Sequence, residues 1–225
     1  MGDIDSPELE GKREWTVEVI PPDNDGVRFY LERYRPFRLF SLQESPAGRG
    51  CVVSLFFVYA PYYRRGQADI NSLCWIAFSS TYEREINMTD GDWVRRVASH
   101  LATTFVVVDG RDRTVLSAAT LRGPLPAPSG LVTNKAIDSG GALFWSIAAV
   151  YTLPEARKKG LARRVLNRVL QVAKERGDVQ GANTVITLGV LKGSVGARAL
   201  YESCGFSMYN ENEEEFEMVL YLSKA

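Results

Sequence analysis

Arg157-Lys158-Lys159-Gly160-Leu161-Ala162 is the stretch from which the rest of this chain is read. An apolar run, Leu143 to Val150, precedes it, and Leu153-Pro154-Glu155 breaks that run. Beyond it Leu161, Val165, Leu166, Val169, Leu170 and Ala173 recur at helical spacing. The spacing predicts a helix from Leu161 to Arg176, closed by Gly177 at C′. The order is therefore strand, tight basic loop, helix. A helix N-terminus carries unpaired N–H groups and a positive dipole end, which suits a phosphate or pyrophosphate. Gly160 lets a ligand approach the backbone, and Ala162 keeps the next position small. Arg157, Lys158 and Lys159 flank the turn. Neither G-x-x-x-x-G-K-S/T nor a G-x-G-x-x-G after a strand is present.

What is present is R-x-x-G-x-A. Further on, Ala197 and the run Leu200-Tyr201-Glu202-Ser203-Cys204-Gly205-Phe206 read as A-x-x-L-Y-E-x-x-G-F. In these two motifs, and in Val150 to Glu155 as a strand entering the loop, the chain resembles the GCN5-related N-acetyltransferase (GNAT) family. Its acyl-CoA-binding signature is R/Q-x-x-G-x-G/A. The resemblance covers most of the chain, is centred on Leu143 to Phe206, and does not extend to 48–76.

Composition narrows the alternatives. Basic and acidic residues balance at 27 each in 225, which argues against a general nucleic-acid-binding surface. Cys51, Cys74 and Cys204 form no CxxC pair, and an odd count without metal spacing fits a reducing compartment. The single histidine, His100, rules out zinc sites built from several imidazoles and reads as structural. The polar, acidic start shows no signal peptide. Met1 to Ser6 matches the myristoylation pattern, but Asp3 and Asp5 would repel anionic lipid, so an ordinary acidic start is preferred. The expectation is a cytoplasmic protein, with a nuclear location left open. It has no metal, no nucleic-acid partner and no membrane partner, and a homodimer is left open.

The remaining elements fall in order. Trp15 to Ile20 alternates as a first strand, closed by Pro21-Pro22. Val27 to Gln43 is an amphipathic, Arg-rich helix with Phe29, Leu31, Tyr34, Phe37, Leu39, Phe40 and Leu42 as its apolar positions. Pro36 should kink or split it. Thr89 or Asp90 caps a helix beyond Gly91. Phe105 to Val108 and Thr114 to Thr120 form a hairpin across Asp109-Gly110-Arg111-Asp112. Gly123 to Gly141 reads as a loop. Val185 to Val190 is a strand, Ser194 to Cys204 a short helix, and Phe206 to Tyr209 with Phe216 to Leu222 a last hairpin. The order β-α-α-β-β-β-α-β-α-β-β makes one α/β domain, 1–225, around a mixed central sheet with flanking helices. The run Cys51 to Ala60 is too short to span a bilayer. The segment 48–76 reads as an addition outside the core, either a genuine insertion or a translated unspliced intron.

The resemblance implies the GNAT fold and an N-acetyltransferase that moves an acetyl group from acetyl-CoA to an amine. In the family the fourth strand splays from the fifth and the pantetheine arm inserts between them. Val150, Tyr151 and Thr152 would pair with the pantetheine amides, and a backbone N–H near Ala149 or Val150 would face the thioester oxygen. Arg157, Lys158, Lys159, Gly160, Leu161 and Ala162 would hold the pyrophosphate. Tyr201 matches the general-acid position. A phenol with a pKa of about 10 stays protonated at neutral pH and can protonate a departing thiolate. Ser194 either contacts the cofactor or is a helix N-cap. Cys204 reads as a buried helix residue rather than a nucleophile.

Phe144 to Ala149 offers no carboxylate where some members carry a Glu as base. A water chain, Glu83 or Glu85, or an amine arriving neutral remain as alternatives. The rival functions are a non-catalytic acyl-CoA-binding regulator of the same fold and a protein Nα-acetyltransferase. Glu211, Glu213, Glu214, Glu215 and Glu217 on the last hairpin read first as a solvated tip. Steering of a cationic acceptor is the alternative. Alternation sets Glu213, Glu215 and Glu217 on one face.

Overall fold

A computed structural model of the chain describes residues 14–44, 81–128, 131 and 141–224. The segment 48–76, the myristoylation pattern, Cys51, Cys74 and most of the loop expected before Gly141 lie outside the described residues. Seven strands form one sheet in the order β1-β2-β3-β4-β5-β7-β6. They are β1 (Trp15–Val19), β2 (Ala102–Asp109), β3 (Val115–Leu125), β4 (Ala142–Thr152), β5 (Asn183–Leu191), β6 (Ser207–Glu211) and β7 (Glu215–Leu222). Only β4 and β5 run parallel; every other neighbouring pair is antiparallel.

Each face of the sheet has its own apolar cluster. One is covered by α5 (Leu161–Val179) and α6 (Val195–Ser203), and it gathers Phe105, Leu121, Trp145, Ile147, Leu166, Val169 and Tyr201. The other is covered by α1 (Asn24–Phe29), a π-helical turn (Tyr30–Tyr34), α2 (Arg35–Glu44), α3 (Tyr82–Ile86) and α4 (Asp90–Val97). It gathers Tyr30, Tyr34, Phe37, Trp93, Val106 and Ala118. Strands buried on both sides explain the uninterrupted apolar run Phe105 to Val108 and the buried stretch Trp145 to Ala148, which carries one polar residue, Ser146.

Local chemistry accounts for the boundaries. Thr89 caps α4 through a reciprocal pair with Asp92, so the cap is Thr89 and not Asp90. The helix expected from Val27 to Gln43 is divided into α1 and α2 by a π-helical turn that ends just before Pro36. The widened turn, closed by the Arg35 N–H on the Tyr30 carbonyl, makes room where a proline ring would strike the preceding helical turn. Gly177 is not at C′. It lies inside α5, fully covered, where a Cβ would stand 2.1 Å from the Thr184 Oγ1. Gly181, at φ 62°, takes the left-handed position instead. The loop expected from Gly123 also starts later, since β3 continues to Leu125.

Candidate active site

β4 carries the decisive irregularity. Opposite β3, Ala118 pairs with Tyr151 and Thr120 with Ala148, so β4 has one residue more than its partner there. Ala149 sits in that bulge at φ 54°. The extra residue inverts the alternation: Trp145 and Ile147 face the α5 cluster, then Val150 does, while Tyr151 joins the other cluster. A bulge also re-aims its peptide groups, here at Ala149 and Val150.

On its other edge β4 pairs with β5 only from Ala142–Asn183 to Ser146–Thr187. From Ile147 onward no ladder joins the two strands, although β4 stays bonded to β3 and β5 to β7. An extended ligand carrying amides can add itself to such an edge. The end of β4 is held from the β3 side. Ser117 Oγ donates to the Tyr151 carbonyl at 3.1 Å and lies 2.8 Å from Thr152 Oγ1.

The free edge leads to the basic loop. Lys158 and Gly160 both take left-handed conformations, at φ 60° and 76°. For the lysine this is a rarely occupied conformation, of the kind that gathers at ligand-binding loops. No side chain caps α5, so its first N–H groups face outward without an intrahelical partner. Beside them lies a pocket of about 290 Å³ lined by Thr152, Arg157, Lys158, Gly160, Ala162 and Gly196, among others.

The three cations differ in role. Arg157 folds back on β4, donating from Nε to the Thr152 carbonyl at 3.1 Å and lying over the Tyr151 ring. Lys159 Nζ donates to the Glu155 carbonyl at 2.8 Å. Lys158 is exposed. Leu161 lines the pocket floor with its side chain in the core.

Ser194 occupies the N-cap position of α6, but its side chain makes no capping hydrogen bond. The pocket wall takes Gly196 and Leu200 from that helix. Tyr201 is 5% exposed in the α5-side cluster, with its ring edge-on to Phe206 at 6.1 Å. It shares that cluster with Val150, Ala156 and Leu161. Cys204 packs on the same cluster as a half-buried free thiol. His100 is exposed after α4, apart from this site.

A second pocket, of about 60 Å³, opens on the opposite face of the sheet at the same bulge. Ala149, Tyr30, Tyr34, Arg38, Arg96 and Arg122 are among its lining residues, with Glu85 as its carboxylate. Arg38 Nε donates to Glu85 Oε2 at 3.2 Å, and Arg96 Nη1 lies 3.0 Å from Oε1. Burial alone would raise the Glu85 pKa, but Arg38 and Arg96 outweigh it and hold the carboxyl below its usual range. Burial pushes the Tyr30 and Tyr34 phenols up, so both stay protonated. Glu83 is exposed on α3 and does not line this pocket.

The sequence offers Glu83 or Glu85 as one of three routes for the amine proton and does not mark the tyrosines and arginines around Glu85 as site residues. Their signal was the four-residue interval of Tyr30, Tyr34 and Arg38, which puts them on one helical face. The last hairpin is also corrected: Glu215 is buried and so does not share a solvated face with Glu213 and Glu217, while Glu211 pairs with Lys192 at 2.9 Å. Among the described residues no group of three His, Cys, Asp or Glu side chains could hold a metal, and no helix is long and apolar enough to cross a membrane.

The acetyltransferase (GNAT) family model matches residues 68–206. None of the curated proteins matches the chain. Among solved structures it is similar to Arabidopsis thaliana NAA60 in complex with acetyl-CoA, at 15% identity and TM-score 0.49, over 60% of this chain and 84% of that one. It is also similar to the spermidine/spermine N-acetyltransferase SpeG from Vibrio cholerae, at 16% identity and TM-score 0.49, over 92% and 93%. A third is the ribosomal-protein-S18-alanine N-acetyltransferase from Escherichia coli, at 18% identity and TM-score 0.42, over 61% and 79%.

Proposed function

The chain belongs to the acetyltransferase (GNAT) family, and on that premise we propose that it transfers an acetyl group from acetyl-CoA to the amine of a small molecule or peptide. The observation that carries this reading is the opening between β4 and β5, whose free edge runs from the Ala149 bulge to the pocket at the start of α5. Pantetheine amides would pair along Val150, Tyr151 and Thr152. The pyrophosphate would sit on the N–H groups at Gly160, Leu161 and Ala162, with Lys158 near its charge. Arg157 would have to leave the Thr152 carbonyl, or share it, when the arm enters. Lys159 and Ser194 would contribute at the rim.

The chemistry follows from that placement. The neutral amine nitrogen attacks the thioester carbon, forming the C–N bond and an oxyanion. An N–H at Ala149 or Val150, re-aimed by the bulge, would donate to that oxygen. The C–S bond then breaks, the thiolate takes a proton from the Tyr201 hydroxyl, and the amine proton leaves to solvent. The products are the N-acetyl amide and free CoA thiol. β4 supplies no carboxylate among Phe144 to Ala149, and Glu85 is committed to two arginines, so proton removal through water or a neutral amine is the reading favoured here.

Thiol release from acetyl-CoA across an amine panel tests the activity. Gly160→Glu should abolish acetyl-CoA binding by calorimetry, because it places a carboxylate at the pyrophosphate position. Full-affinity binding by the folded variant would defeat the assignment.

A further inference from the structure

Resting on the acetyltransferase reading, we infer that the acceptor amine carries a small anionic group, a carboxylate, which seats in the pocket beneath the β4 bulge beside Arg38, Arg96 and Arg122. The pocket opens at Ala149, where the thioester would lie, and on the face of the sheet opposite α5. What fills it therefore belongs to the acceptor and not to the cofactor. Among the described residues Arg38, Arg96 and Arg122 line it, with Glu85 as the carboxylate. Arg38 and Arg96 share that carboxylate, so two positive charges face one negative charge at the cluster itself.

Buried donor capacity points the same way. The Nε of Arg96, a residue that lines the pocket, is buried with no hydrogen-bond partner. Buried polar atoms are normally paired, and a group that supplies acceptor oxygens would satisfy this one. The protonated Tyr30 and Tyr34 hydroxyls add donors.

Size fits a small group. About 60 Å³, against about 10–15 Å³ for one water on the same measure, leaves room for a carboxylate. Charge also excludes the second ammonium of a polyamine, which would enter among guanidiniums. The same cations would lower the pKa of the reacting amine and favour its neutral form, which a site without a β4 carboxylate needs.

Two measurements on the full chain test this. In the first, the arginine Nε–H resonances are followed while sodium acetate is titrated in at constant ionic strength, with methylammonium chloride as control. The Arg96 signal, assigned by its absence in Arg96→Gln, should shift saturably with acetate alone. In the second, kcat/KM is compared for amino acids, their amides and the corresponding decarboxylated amines. The acid should lead by about tenfold or more. Arg96→Gln or Arg122→Gln should collapse that ratio whatever the absolute rate, since a purely structural role would lower all members together.

No saturable acetate shift overturns the inference, and so does an amide or diamine that matches or exceeds the acid. If no amine is turned over but acetate still shifts Arg96, the anion pocket stands and the acetyltransferase reading fails. If turnover persists with no acetate shift, the reverse holds.

Discussion

At the scale of single residues, Glu85 and Tyr201 show how burial sets a role. Glu85 has a fully buried side chain and touches two guanidiniums, so removing its charge strands both. Glu85→Gln should cost about 3–5 kcal/mol in urea unfolding at neutral pH. The sign of its pH dependence follows from its lowered pKa. The stabilisation is fully present above the unfolded value of about 4.3, and it is lost as pH falls through the lower folded value. The gap between the protein and the variant should therefore hold constant down to about pH 5 and narrow below it. A gap that stays constant well into acid would show that the ion cluster is not what holds this corner. Tyr201 tests the chemistry instead. If its hydroxyl protonates the leaving thiolate, Tyr201→Phe should lower kcat by up to about 10²-fold while acetyl-CoA affinity and Tm stay unchanged. An unchanged kcat across pH would make Tyr201 a packing residue, a part its burial against Phe206 already suits.

At the scale of elements, the helix α5 and its loop were legible because their signals are local. Apolar spacing predicts α5 from Leu161, and Thr89 or Asp90 marks the start of α4, where the structure has Thr89 as the cap. The bulge at Ala149 was not legible in the same way, since an alanine gives no local hint of a left-handed conformation. The resemblance to a family pointed to a backbone N–H near Ala149 or Val150, but not to a bulge there. Gly177 failed for a related reason: a glycine near a helix end has two explanations, a left-handed turn or a close approach. Only the packing of Thr184 against α5 decides for the second. Gly177→Ala should thus destabilise by about 1–3 kcal/mol, as overpacking does, and not through backbone strain. Adding Thr184→Ala should recover part of that loss, because it removes the oxygen that the new methyl would meet. A double variant no more stable than Gly177→Ala would assign the cost elsewhere. The Tyr30, Tyr34 and Arg38 face escaped notice because tyrosine reads as core in a periodic pattern, and charge balance appears only when α2, α3 and α4 meet.

At the scale of the molecule, 48–76 lies outside the described residues, and the family model match reaches into it from residue 68. What stands before that segment is tied to what stands after it by the β1–β2 ladder, by Arg35–Asp90, and by the Arg38–Glu85 pair, which joins α2 to α3 and is reinforced by Arg96 from α4. A deletion of 48–76 would join Ala47 to Ala77 and leave Ser45-Pro46-Ala47-Ala77-Phe78-Ser79-Ser80 between the two helices. The proposal that 48–76 is an addition outside the core predicts that this variant folds with a Tm at least equal to that of the full chain. Long surface insertions add little to loop-closure cost, and shortening one removes only the small logarithmic term. It also predicts that acetyl-CoA binding survives, since the residues proposed to hold it, Val150 to Thr152, Arg157 to Ala162 and Ser194, lie outside the deletion. Loss of cooperative unfolding in the variant would place 48–76 inside the core and overturn the boundary. Transcript reads across the junction separate the two origins: a spliced message lacking these codons marks an intron, and uninterrupted reads mark a genuine insertion.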